Sequence, residues 1–223
     1  MPWSGDEIQR GGHACHLYQN WSERRDVTVP FVRKGLERHE HCIVVSDEAT
    51  FGDWRREFEA AGIDVDAEER RGRLQFLTGA TWRTPLVAGG SLGMARTALT
   101  MLKPLRSEFN GVRIIGDAEW DLPPSVPAAA VCHWEATANV VFDDSDVRVI
   151  CQYAAGHYTP DHLLAPLRTH ASVIRHGVLH ANPNDEAARI LRYEPQLNAY
   201  AAAFDRARLG LYFPLLRGWR EWR

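Results

Sequence analysis

Lysine is almost missing from this chain. Only Lys34 and Lys103 occur in 223 residues, and neither is followed by Ser or Thr. A phosphate-cradling loop needs G-x-x-x-x-G-K-[ST]: backbone amides around the phosphates, a lysine on the β- and γ-phosphates and a hydroxyl on magnesium. With no lysine in that setting, a loop of this kind is excluded. Long apolar runs are missing too, since none approaches the ~20 residues that span a bilayer. Met1 to Gly12 lacks the apolar core of a signal peptide. The four cysteines, Cys15, Cys42, Cys132 and Cys151, show no C-x-x-C spacing and read as reduced, mostly buried thiols. A net charge of -3 supplies no global drive toward nucleic acid or anionic membrane. The expectation is a cytoplasmic protein that binds neither directly and carries no cofactor.

What is present is an alternation of short apolar runs with longer helical patterns. Strands are expected at His13–Tyr18, His41–Ser46, Arg73–Leu77, Val112–Asp117, Val147–Tyr153 and Gly177–His180. Helices are expected at Val27–Arg38, Phe51–Ala61, Leu92–Phe109, Val131–Phe142 and Leu163–Arg175, with Tyr18 to Asp26 as the first strand-to-helix junction. This rhythm predicts an α/β fold, a mostly parallel sheet flanked by helices. Residues 1–184 form the expected domain. Residues 185–223 form a helical tail, with Leu197, Tyr200, Ala201 and Phe204 on one face and tryptophans at its end, docking on the domain or on a second copy. Binding sites on such sheets lie at the carboxyl ends of the strands. Here the first junction has no glycine and no lysine: a nucleotide-type scaffold without its phosphate loop, which points to sensing rather than ATP hydrolysis.

Several short motifs follow one another in order. They are His13-x-Cys15-x-Leu17-Tyr18, Phe31-x-x-x-Gly35-Leu36-Glu37, Arg113-Ile114-Ile115-Gly116-Asp117-Ala118-Glu119-Trp120, Glu135-Ala136-x-x-Asn139, Cys151-Gln152-Tyr153, His170-x-x-Val173-Ile174 and Asn182-Pro183. Together they resemble the MEDS family, the methanogen/methylotroph sensory domain, over about residues 11 to 184. The resemblance implies a RecA/KaiC-like fold without Walker A. It also implies sensing of small hydrocarbon derivatives and relay to transcriptional machinery. Members often carry an attached DNA-binding or anti-sigma kinase domain, which is not seen here, so the expected output is a regulatory protein acting in trans. Ala118, Glu119 and Ala154 depart from the family's usual residues, and that bears on pocket identity more than on fold.

Each candidate has a chemical and a structural reading. His13 and Cys15 share a strand face and either bind a soft metal, form a reactive thiol-imidazole pair, or serve as core residues. His39-Glu40-His41-Cys42 offers further ligand types, but neighbours on a strand point opposite ways. Cys15 and Cys151, on strands that also carry Tyr18 and Tyr153, form a thiol pocket if those strands are adjacent. Asp117 and Trp120 either meet a ligand or serve as cap and core. Glu135 and Asn139, at i and i+4 on one helix face, are placed to bracket Arg113, in a site or as architecture. Gly89-Gly90-Ser91-Leu92-Gly93 is either an anion-binding loop before a helix or a hinge. No G-x-S-x-G elbow, H-E-x-x-H helix, Rossmann fingerprint or helix-turn-helix signature occurs.

Three functions follow. The first is a non-catalytic sensory module with an apolar ligand among Tyr18, Asp117, Trp120 and Tyr153. The second is a metal- or thiol-based redox sensor or enzyme on His13, Cys15 and Cys151. The third is a protein-binding scaffold that works through its tail.

Overall fold

A computed structural model describes residues 3–118, 128–142, 146–187 and 190. The chain enters a sheet through β1 (His13–Tyr18), crosses by α1 (Trp21–Glu37) and returns as β2 (His41–Ser46). A 3-10 turn (Glu48–Thr50), α2 (Phe51–Ala60) and α3 (Val65–Arg70) lead to β3 (Leu74–Thr78). Next come α4 (Ala80–Glu108), β4 (Val112–Asp117), α5 (Ala128–Phe142), β5 (Val147–Ala154) and α6 (Pro160–Leu167). A hairpin of β6 (Ser172–Arg175) and β7 (Val178–Ala181) closes the series.

The seven strands lie in the order β3-β2-β4-β5-β1-β6-β7. All pair in parallel except β6 with β7. Apolar layers cover both faces, as parallel strands require. On one face Ala14, Val44, Ile115 and Ile150 meet Val27, Phe31 and Val32 of α1. On the other, Ile43, Val45, Ile114 and Val149 meet Ala95, Ala98 and Leu102 of α4 and Trp134 and Ala138 of α5. Gly35 lets α1 lie close to the sheet, because a Cβ there would come within 2.5 Å of Cys42 Sγ and 2.7 Å of the Arg113 side chain.

Three expected helices change, one of them α4, which starts at Ala80 rather than Leu92. α1 starts at Trp21 rather than Val27, so only Gln19 and Asn20 separate it from β1. The Asn20 side chain accepts from the Glu23 amide at 3.0 Å, and the Glu23 carboxylate accepts from the Gln19 amide at 2.9 Å. This reciprocal cap nucleates the helix inside a run that looks solvated. The expected helix Leu163–Arg175 stops at Leu167, and Ser172–Arg175 is a strand instead. Its β-branched Val173 and Ile174 pair with Cys15 and His16, so sheet pairing overrides helical periodicity. α3 had no sequence expectation. Nearly all of the expected tail lies outside the described residues.

Candidate functional site

Side chains alternate across a strand, so parity divides the candidates. His13 and Tyr153 reach Asn139 and Glu135 of α5, and Cys15 and Cys151 share that side. Asp117 and Arg113 reach Arg24 and Phe31 of α1, and Tyr18 shares that side, its ring 5.6 Å from the Arg24 guanidinium. The sheet therefore lies between Tyr153 and the Tyr18–Asp117 pair, which the sequence reading had put in one pocket.

On the α5 side, β1 and β5 are neighbours and Cys15 stands level with Cys151. Four heteroatoms converge there: His13 Nε2, His170 Nε2, Glu135 Oε2 and Cys151 Sγ, all within 4.8 Å of one another. His13 Nε2 lies 3.0 Å from His170 Nε2, 3.1 Å from Cys151 Sγ and 3.3 Å from Glu135 Oε2. Glu135 Oε2 is 3.5 Å from His170 Nε2 and 3.6 Å from Cys151 Sγ. The two rings and the carboxylate are almost wholly buried. The other Glu135 oxygen accepts from the Tyr153 hydroxyl.

Burial alone would raise the Glu135 carboxyl, but His170, His13 and the Tyr153 hydroxyl outweigh it and hold it below the ordinary carboxylate range. Burial, then His13, brings His170 down to about 3. Burial, then the Glu135 charge, keeps the Tyr153 phenol protonated and pushes the Cys15 thiol well above its ordinary range. Cys15 is thus a neutral, fully buried thiol beside the group, packed with Ala118, Val131 and Tyr153.

At the carboxyl end of β1, on the other face, Arg24 fills the space next to the two-residue turn. Its guanidinium bonds Asp117 at 2.7 Å, Ser46 Oγ at 2.9 Å and Gln152 Oε1 at 3.2 Å. It also lies 4.9 Å from the Trp54 ring and 5.5 Å from that of Trp21. Gln152 then donates to His16 Nδ1 and Thr28 Oγ1, both at 3.1 Å. A phosphate loop spans about eight residues before its helix is under way. Two residues cannot wrap a triphosphate, and the place beside Asp117 holds a cation of the chain itself.

The family profile of the MEthanogen/methylotroph, DcmR Sensory domain, MEDS, matches residues 12–171. The chain belongs to the MEDS family. Among solved structures it resembles a KaiC-like protein from the hyperthermophilic archaeon Pyrococcus horikoshii OT3, with a TM-score of 0.50 and 13% identity. That likeness covers 74% of this chain and 71% of the other, and it shows the fold. No curated protein matches the sequence significantly.

In this MEDS chain Arg113 is not bracketed by Glu135 and Asn139. It lies on the α1 side and donates to Glu40, the Gly5 carbonyl, the Phe31 carbonyl at 3.2 Å and Asp6 at 3.2 Å. Arg148 joins the same Glu40 at 2.8 Å. Helix spacing could not reveal this, since Glu40 is remote in sequence and reaches Arg113 only across the fold. The His39–Cys42 run disperses: His39 is exposed, Glu40 serves the arginines, and His41 bonds the Gly72 carbonyl at 2.6 Å. Cys42 is buried and its thiol pushed up to about 12. The glycine cluster lies inside α4 at a kink, where Gly90 has φ 58°, rather than in a loop before a helix. Trp120 lies outside the described residues.

Sequence reasoning left out Arg24 and His170. His170 already stood in one of the motifs, and a turn ending at β6, rather than a helix, would have aimed it at β1.

Proposed function

We propose that this MEDS chain is a non-catalytic sensory domain. It takes a small, hydrocarbon-derived effector at the carboxyl ends of β1 and β4 and relays occupancy to a regulatory protein in trans. The supporting observation is the Arg24–Asp117 ion pair, which fills the position where a related ATPase would seat phosphate and magnesium. The Trp54 indole N–H beside it is buried, without an acceptor among the described residues. Aromatic walls and one polar contact suit a small, weakly polar molecule. Trp120, in the segment after β4, is the proposed additional wall. Tyr153 faces the other side and takes no part. An effector that favours one state of the domain would shift the surface offered to a partner.

Thermal unfolding against a panel of short halogenated and oxidised hydrocarbons tests this reading. At ~100 times its dissociation constant a true effector adds about 2.7 kcal/mol of stability. At least one compound should raise the midpoint while magnesium-ATP leaves it unchanged. Stabilisation by magnesium-ATP, with a flat response to the panel, would overturn the reading.

A further inference from the structure

Beyond the sensory role, and whatever the effector, we infer that His13, Glu135, Cys151 and His170 form a four-ligand site for a divalent transition metal of the zinc type. Asn139 Nδ2 donates to the Glu135 carbonyl at 3.1 Å and to the Thr169 carbonyl, which uses both its hydrogens and turns Oδ1 toward His13 Nδ1 at 3.3 Å. His13 Nδ1 therefore donates, and in the neutral ring Nε2 offers a lone pair. His170 Nδ1 donates to the Pro166 carbonyl at 2.8 Å, so its Nε2 is likewise a lone pair. These two lone pairs face each other at 3.0 Å, together with a carboxylate oxygen. Among the described residues, the hydrogen that remains at this point is that of the Cys151 thiol.

The geometry fits the same answer. With metal–nitrogen and metal–oxygen bonds of ~2.0 Å and a metal–sulfur bond of ~2.3 Å, the edges of a tetrahedron come to about 3.3–3.6 Å. Five of the six separations run from 3.0 to 3.6 Å, and the sixth, between His170 and Cys151, lies within 4.8 Å. Two imidazoles, a thiolate and a carboxylate are a borderline-soft set that suits zinc or cobalt. A dication with one thiolate and one carboxylate is also neutral, which removes the cost of burying Glu135. The outer partners that orient metal ligands are in place as well: Asn139 on His13, the Pro166 carbonyl on His170, and Tyr153 on the distal carboxylate oxygen. Cys15 and Cys132 are not among the four.

The test uses the full chain, stripped of metal and titrated with zinc or cobalt alone. One equivalent should bind. X-ray absorption of the zinc form should show one sulfur and three nitrogen or oxygen scatterers. Cobalt should give a sulfur-to-metal charge-transfer band that is kept in Cys132→Ser and lost in Cys151→Ser. Asn139→Ala should keep the sulfur scatterer and lower affinity 10- to 100-fold. The wild-type spectra carry the decision if a variant fails to fold. Folded wild-type protein that binds neither metal at micromolar concentration would overturn the inference and leave a shared proton in the metal's place. A zinc form without sulfur, or a band that survives in Cys151→Ser, would overturn it too.

Discussion

Cys151 and Gln152 are neighbours in sequence and open onto different chemistry. Gln152 turns toward α1, where donors and acceptors alternate: Arg24 to Gln152, Gln152 to His16 and Thr28, Thr28 to the Arg24 carbonyl, Arg24 to Asp117 and Ser46. Cys151 turns toward α5, where acceptors crowd one point and hydrogens are scarce. One cluster answers its own charges with residues of the chain, while the other is arranged as if for a cation from outside. The two faces of one strand thus carry a charge-compensated cluster and a ligating one, and residue type alone does not tell them apart.

The largest effect should come from breaking the charge-compensated cluster. Arg24→Met takes the guanidinium from the buried Asp117 carboxylate, and losing one member of a buried pair costs about 3–5 kcal/mol. Denaturant unfolding measures it. A loss below about 1 kcal/mol would mean that solvent already reaches Asp117. Next is Gly35→Ala, which drives a methyl against Cys42 and Arg113 and should cost about 1–3 kcal/mol. Cys42→Ala in the same chain should recover part of that loss, and simple additivity would place the strain elsewhere.

A pH-graded effect, absent at neutral pH, belongs to His16. Burial, then the Arg24 charge, lowers its pKa from 6.5 to about 3. The folded state therefore refuses a proton that the unfolded chain accepts. This contribution to stability is complete above pH 6.5 and is lost as pH falls from 6.5 toward 3, by up to about 1.4 kcal/mol per pH unit. His16→Gln should flatten the acid limb of stability against pH by one proton. An unchanged slope would assign it to other groups.

The sheet was legible in the sequence because its strands are compact apolar runs, and all six expected strands fall within a residue or two of those observed. β6 was not, because four residues at Ser172–Arg175 are too few to set a period against the helical pattern before them. That error hid His170. Arg24 was hidden differently: Ser22 to Asp26 reads as a solvated charge run, and only the approach of Tyr18, Trp54 and Asp117 buries its third member. His13, Glu135, Asn139, Cys151 and Tyr153 were found by residue type and do meet. Arg113, Tyr18 and Asp117 were found by the same means and lie across the sheet, since strand parity was not applied between elements.

In the proposed reading, the Arg24–Asp117 ion pair holds the place of a nucleotide's phosphates. Calorimetric titration of magnesium-ATP into the full chain tests it most directly. The account predicts no saturable heat and no released phosphate. One-to-one binding at micromolar concentration, or turnover to phosphate, would contradict it.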